Sequence, residues 1–221
     1  MGKHMTTHLV WDWNGTLLDD ISAVIGATNA AFAEIGLESI TLARYRELYC
    51  VPIPLFYERL MGRLPTDEEW EVMDEAFHRH YTAYRVGCVL TAGVEELLRE
   101  WRSAGSSQSL LSMYGHEELV PVVRGYGIEP HFIRVEGRTG PSGGSKAAHM
   151  ARHVAALGDV GPERVVVIGD AVDDAVAAAH VGARAVLYTG GSHSRGSLEL
   201  AGVPVVDTLA EAVLLAQRMQ A

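Results

Sequence analysis

The chain has 221 residues, 48% of them apolar, and carries 18 basic against 28 acidic side chains for a formal charge of −10. That supplies a full hydrophobic core, as one large domain or as a domain with an insertion. The acidic balance argues against general nucleic-acid or anionic-membrane binding, which needs basic stripes, but a metal and one lysine can still make the local field suit an anionic substrate.

Met1-Gly2-Lys3-His4 ahead of Met5 reads as an expression scar, and no signal-peptide pattern follows it. His8-Leu-Val-Trp11 is a short apolar strand closed by the Asn14-Gly15 turn signal. Asp19 or Asp20 can cap the next helix, whose apolar positions from Ile21 to Ile35 keep helical spacing until Gly36. From about 41 to 86 aromatics concentrate and no β-rich run occurs, so helices are expected over 41–50, 53–61 and 66–86 as an insertion. Alternation of strand and helix then resumes: helix 93–103, strand 107–112, helix 115–126, and a short apolar segment at 131–135. Gly140-Pro-Ser-Gly-Gly144 is a loop, followed by helix 145–157, strand 164–169, helix 172–181, strand 184–188, Pro204-Val-Val and helix 208–219. Repeated βα units of this length imply a Rossmann-like, doubly wound parallel α/β sheet with right-handed crossovers. Cys50 and Cys88 form no CxxC pair, which fits neither a zinc ribbon nor a disulfide scaffold and points to a reducing cytoplasm. No run approaches the ~18–20 apolar residues of a membrane span.

Two carboxylate motifs each follow an apolar strand: Val-Trp-Asp12-Trp-Asn14-Gly-Thr-Leu and Val-Ile-Gly-Asp170-Ala-Val-Asp173-Asp174. Both deliver acids to a strand's carboxyl end, where open parallel sheets bind ligands. Asp12 can attack phosphorus to form an acyl phosphate if a cation suppresses repulsion; a turn aspartate bonded to its own backbone fits the same residue. Asp170 with Asp173 and Asp174 suits hard oxygen ligation of Mg²⁺, which uses one or two carboxylates plus water and phosphate oxygens. Helix capping accounts equally well for Asp173, whereas Asp174 suits the metal's outer sphere. Ser112, followed by Met113, can hold a phosphate oxygen near a helix start, or serve as an ordinary turn residue. Lys146 is poorly placed for a helix dipole and could neutralise Asp12 and a phosphate, although most lone lysines are solvated. His78 and His80 show no ligand spacing, and Arg44, Arg46, Arg59 and Arg63 are expected to be mostly solvated. Trp13 could shape a pocket, with packing its default role.

The order carries more than any member. Asp at the first strand, Ser after a later one, Lys before a helix, then Gly-Asp-x-x-x-Asp resembles the motif order of the haloacid dehalogenase superfamily. The chain is similar to its phosphoglycolate-phosphatase-like branch over about 6–220, including Ala179-His-Val-Gly182 and the terminal Gly-Val-Pro204-Val-Val-Asp207-Thr-Leu. The resemblance implies a core of 6–19 and 88–221 with an inserted α-helical cap at 20–87. It implies that Asp12 is the nucleophile and that Asp12, the Asn14 main-chain carbonyl and Asp170 bind Mg²⁺ with support from Asp174. It also implies that Ser112 and Met113 hold phosphate, with Trp13 beside them, and that Lys146 orients Asp12 and phosphate. A small phosphorylated metabolite is the implied substrate. Whether the chain acts as monomer or homodimer stays open.

Asn14 departs from the pattern, because phosphatases of this family usually carry an acid/base Asp there. An amide can hydrogen-bond but cannot exchange a proton usefully near neutral pH, and such help is worth about 10²–10⁴-fold. Two readings follow: a Mg²⁺-dependent phosphomonoester hydrolase specialised or weakened by Asn14, or a non-catalytic Mg²⁺-dependent phospho-ligand binder. A plain nucleotide binder is disfavoured, since no G-x-G-x-x-G follows the first strand.

Overall fold

The computed structural model describes residues 7–141 and 145–219. The expected scar at Met1-Gly2-Lys3-His4, the 142–144 part of the expected glycine-rich loop, and the outermost residues of the expected core, 6 and 220–221, lie outside them. Six parallel strands form the main sheet in the order β5-β4-β1-β6-β7-β8. They are β1 (His8–Trp11), β4 (Gln108–Gly115), β5 (Val135–Arg138), β6 (Val165–Gly169), β7 (Arg184–Tyr188) and β8 (Val205–Val206).

β1 and β6 occupy the middle, which explains their unbroken apolar runs: both faces are covered, so every residue is buried. Alternate side chains serve opposite faces. Leu9, Trp11, Val166 and Ile168 join the cluster under α5 (Val94–Ser103), α6 (His116–Gly125) and α10 (Leu209–Arg218). Val10, Val165 and Val167 join the cluster under α7 (Ala147–Ala155) and α8 (Val172–Val181). The sheet is therefore doubly wound, and the carboxyl ends of β1, β4 and β6 meet at one edge.

The aromatic-rich stretch folds as helices α2 (Leu42–Leu48), α3 (Ile53–Met61) and α4 (Asp67–Tyr84). With α1 (Ile21–Glu34) they bury a separate cluster of Ile21, Phe32, Tyr45, Phe56, Tyr57 and Met73. Thr66 and Glu69 form a capping box that starts α4. A two-stranded antiparallel ribbon, β2 (Leu18–Asp19) with β3 (Val89–Leu90), joins this helical unit to the sheet. Among the described residues no helix is long and apolar enough to cross a membrane, and Cys50 and Cys88 are free thiols.

Three expectations need correction. The apolar segment at 131–135 is mostly not strand: Glu129–His131 makes a 3₁₀ turn on Pro130, and β5 begins only at Val135. As an edge strand β5 can be polar, so its Val-Glu-Gly-Arg sequence gave no apolar signal. β4 does not end at Ser112 but continues to Gly115 through a register irregularity after Leu111. The ribbon β2–β3 and the short helix α9 (Arg195–Glu199) were not expected, being too short for periodicity to reveal.

Candidate active site

Asp12 follows β1 and is anchored by its own N–H, which donates to the Ile168 carbonyl at 2.9 Å. The chain then turns at Gly15, whose φ of +67° suits glycine and where a Cβ would lie 2.6 Å from Asp170 Oδ2. The turn presents Asn14 to the core–helical junction. Its Nδ2 donates to Asp20 Oδ2 at 2.7 Å and to the Tyr81 hydroxyl at 2.6 Å, while Ser112 Oγ lies 3.5 Å from its Oδ1. Asp20 is fully buried. It also accepts from the Gly15 N–H at 2.7 Å and from the Tyr81 hydroxyl at 2.6 Å. Burial pushes its carboxyl up, against the pull of those three donors. Asp20 sits at the cap position of α1 but makes no side-chain cap bond. The expected capping role is replaced by this network.

Asp170 leaves β6 at the same edge, accepting from the Ser192 N–H at 2.6 Å and the Thr16 hydroxyl at 3.3 Å. Burial, reinforced by the Asp174 charge, pushes its carboxyl up to about 7. A Cβ on Gly191 would lie 2.0 Å from Asp170 Oδ2, so glycine is required for the loop after β7 to close over it. Lys146, only 3% exposed, donates from Nζ to Asp12 Oδ1 at 2.5 Å and to Asp174 Oδ1 at 2.7 Å. Burial alone would lower this lysine, but the Asp12 and Asp174 charges outweigh it and hold the ammonium charged. Burial raises Asp12 well above the ordinary carboxylate range, with Lys146 pulling the other way and Asp174 and Asp170 adding to the rise. Asp174 Oδ2 also accepts from the Ala171 N–H at 3.1 Å. Asp173 caps a neighbour instead of its own helix: it accepts from the Lys146 N–H at 2.8 Å and the Ser145 hydroxyl at 3.1 Å, fixing the backbone that carries Lys146.

Carboxylate oxygens of Asp12, Asp170 and Asp174 lie within 4.8 Å of one another, all buried. With all three ionised against one ammonium, two negative charges would stand uncompensated in a poorly hydrated site, which is why Asp12 and Asp170 hold protons more tightly than ordinary carboxyls. Hard oxygen donors with that deficit fit a divalent cation such as Mg²⁺.

These residues floor a cavity of about 630 Å³ between sheet edge and helical unit, with Asn14, Ser112, Met113 and Lys146 in its lining. Ser112 Oγ accepts from the Tyr114 N–H at 3.0 Å, which orients the hydroxyl. The Trp13 ring is elsewhere: it is buried in the sheet core, 5.8 Å from Tyr126, and does not line the cavity. The polar turn residues of this segment face the cavity, while Trp13 continues the core side of β1.

Three residues of the site carried no usable sequence signal. Asp20 belongs to an Asp-Asp pair before a helix, which any capping residue resembles. Tyr81 is one of several aromatics on α4. Arg46 is not solvated as expected: its guanidinium donates at 2.8 Å to both the Gly190 and Gly191 carbonyls, tying α2 to the loop that covers Asp170.

With the geometry in place, comparison with known proteins is specific. The family model described as haloacid dehalogenase-like hydrolase matches residues 6–182. A phosphoglycolate phosphatase of Cereibacter sphaeroides is 27% identical over 188 residues, covering 83% of this chain and 85% of that protein. A haloacid dehalogenase-like family protein of Streptococcus pneumoniae superposes with a TM-score of 0.79 at 18% identity, covering 97% of this chain and 100% of that one. Protein Tyrosine Kinase A of Mycobacterium tuberculosis superposes with a TM-score of 0.78 at 26% identity, covering 96% and 98%.

Proposed function

The chain belongs to the haloacid dehalogenase-like hydrolase family, as a phosphatase of its phosphoglycolate-phosphatase-like branch, and from that premise we propose Mg²⁺-dependent hydrolysis of a small phosphorylated metabolite through a phosphoryl-aspartate on Asp12. The observation that carries this reading is the buried cluster of Asp12, Asp170 and Asp174 held by a single lysine at the carboxyl edge of the sheet. Such an arrangement is costly without a cation to balance it.

Asp12, Asp170 and the Asn14 main-chain carbonyl would hold the metal, with Asp174 in support. Bound there, Mg²⁺ would supply the positive charge that lets a carboxylate approach a phosphate dianion. Lys146 holds Asp12 through Oδ1, leaving Oδ2 as the attacking atom. Ser112 Oγ donates to a phosphoryl oxygen, with Met113 beside it. The Asp12 O–P bond forms as the ester P–O bond breaks, its electron pair staying on the leaving oxygen. Water then attacks phosphorus, releasing phosphate and restoring Asp12. Residues 20–87 act as a cap that excludes bulk water. Trp13 contributes through its backbone position, since its ring is packed in the core.

Asn14 supports a second reading, a phospho-ligand binder without turnover, because its amide has no proton to exchange. Phosphate release measured with and without Mg²⁺, for the parent and Asp12→Asn, separates the two. Mg²⁺-dependent release that Asp12→Asn abolishes supports the enzyme. Mg²⁺-dependent binding of a phosphate ester with no release supports the binder.

A further inference from the structure

The cavity wall is unlike one made for a small, highly charged metabolite. Besides the carboxylates, its lining includes Tyr45, Tyr49, Phe56, Tyr57, Trp70 and Phe77. At about 630 Å³ it is also in the size range that takes drug-sized ligands. Of its cations, Lys146 is shared by Asp12 and Asp174, Arg138 donates to the Met113 and Gly140 carbonyls, and Arg85 lies over the Tyr114 ring at 5.7 Å with its Nε unpaired. Acids are present too, since Asp74, Glu118 and Asp173 line the same space. These three acids outnumber Arg85 and Arg138, so a second carboxylate or phosphate on the substrate would meet net repulsion there.

A second observation, independent of the wall, concerns the leaving oxygen. Asn14 occupies the floor beside Asp12, and its Nδ2 is committed to Asp20 and Tyr81. The Asp20 carboxylate is sealed behind it, fully buried and outside the cavity lining. The Tyr81 hydroxyl donates into Asp20, away from the phosphate site. The leaving oxygen must therefore depart with little proton transfer. A phenol, with a pKa near 10, tolerates that far better than an alkyl alcohol close to the value of water, about 15.7.

We propose that the substrate is an aryl phosphomonoester: an apolar ring system stacked among the aromatics, carrying phosphate on a phenolic oxygen. This rests on the phosphatase reading above and specifies its substrate class. The Asp12 O–P bond forms while the aryl P–O bond breaks. The phenolate departs with the electron pair and takes its proton from solvent.

The test compares kcat/KM at saturating Mg²⁺ for 2-naphthyl phosphate, 2-(2-naphthyl)ethyl phosphate and 2-phosphoglycolate, with a series of substituted phenyl phosphates. The two naphthyl esters share the ring but differ in leaving-group acidity. Naphthyl phosphate is expected to lead both alkyl esters by about 100-fold or more, the lower bound of what acid help supplies. Within the phenyl series kcat/KM should fall as the phenol becomes less acidic. A winning phosphoglycolate, or equal rates for the two naphthyl esters, overturns the inference but leaves the phosphatase intact if release still requires Asp12. Release that Asp12→Asn does not abolish, or no release from any ester, overturns both.

Discussion

Introducing the missing carboxylate should harm the protein. In Asn14→Asp the new side chain faces Asp20 Oδ2, which lies 2.7 Å from Asn14 Nδ2. Two unit charges at that separation repel by about 6 kcal/mol at an effective dielectric of 20. The pair would avoid most of this by retaining one proton. The retained proton supplies a donor toward Asp20, but the Tyr81 oxygen loses the Asn14 donor, and leaving a buried acceptor unsatisfied costs about 1–3 kcal/mol. Loss of stability in that lower range is therefore expected for Asn14→Asp.

Asp20→Asn in the same background should restore one carboxylate facing one amide, with the polarity reversed. Equilibrium urea unfolding of the parent, the two single variants and the double variant at pH 8 closes the cycle. The double variant should be more stable than the two single effects predict, by about 1–3 kcal/mol, as expected for residues in direct contact. An Asn14→Asp protein as stable as its parent, or a cycle that is additive, would show that the two positions are not coupled.

Three further outcomes follow from the same geometry. Lys146→Met strands two buried carboxylates, so it should cost about 3–5 kcal/mol on denaturant unfolding without metal. Added Mg²⁺ should recover part of that through binding to the native state; an unchanged midpoint would refute the charge account. With no base at Asn14 to deprotonate water, the phosphoryl-aspartate should outlast its formation. Stopped-flow should then show a burst of phenol approaching one per enzyme, and a linear trace from the first turnover would refute this. Finally, His8 is buried between Ser107, Ser109, His153 and Arg164, and burial holds its imidazole down at about 3. His153 is also lowered by burial, against the pull of Glu136. A base held below its unfolded value of about 6.5 contributes stability that is complete above pH 6.5 and is lost as pH falls toward 3. Each such histidine can add up to about 1.4 kcal/mol per pH unit. Unfolding free energies between pH 7 and 4 should fall less steeply for His8→Asn than for the parent; equal slopes would rule His8 out.

What could be read from the chain was whatever is encoded within a few consecutive residues. The apolar runs of β1 and β6 are continuous because both strands are covered on two faces, so Asp12 and Asp170 could be placed at their ends without coordinates. Lys146 carried a local oddity, a cation where a helix begins. β5 escaped because an edge strand need not be apolar, and β2 and β3 because two residues have no period. Asp173 gave no clear signal, since a cap for its own helix and a cap for the preceding one, α7, look alike in sequence.

Asn14 shows the limit most clearly, because its meaning lies in two residues brought from elsewhere. Taken alone it is a lost acid. In the fold it is the donor that makes a buried Asp20 tolerable and that joins Tyr81 of α4 to the turn after β1. The carboxylate missing from the cavity floor is thus matched by one sealed directly behind it, facing a tyrosine instead of the substrate. On the proposed reading, that exchange would remove proton transfer from the site while keeping its charge cluster whole. An enzyme so built can still move a phosphoryl group, provided the group it leaves behind needs no proton to depart.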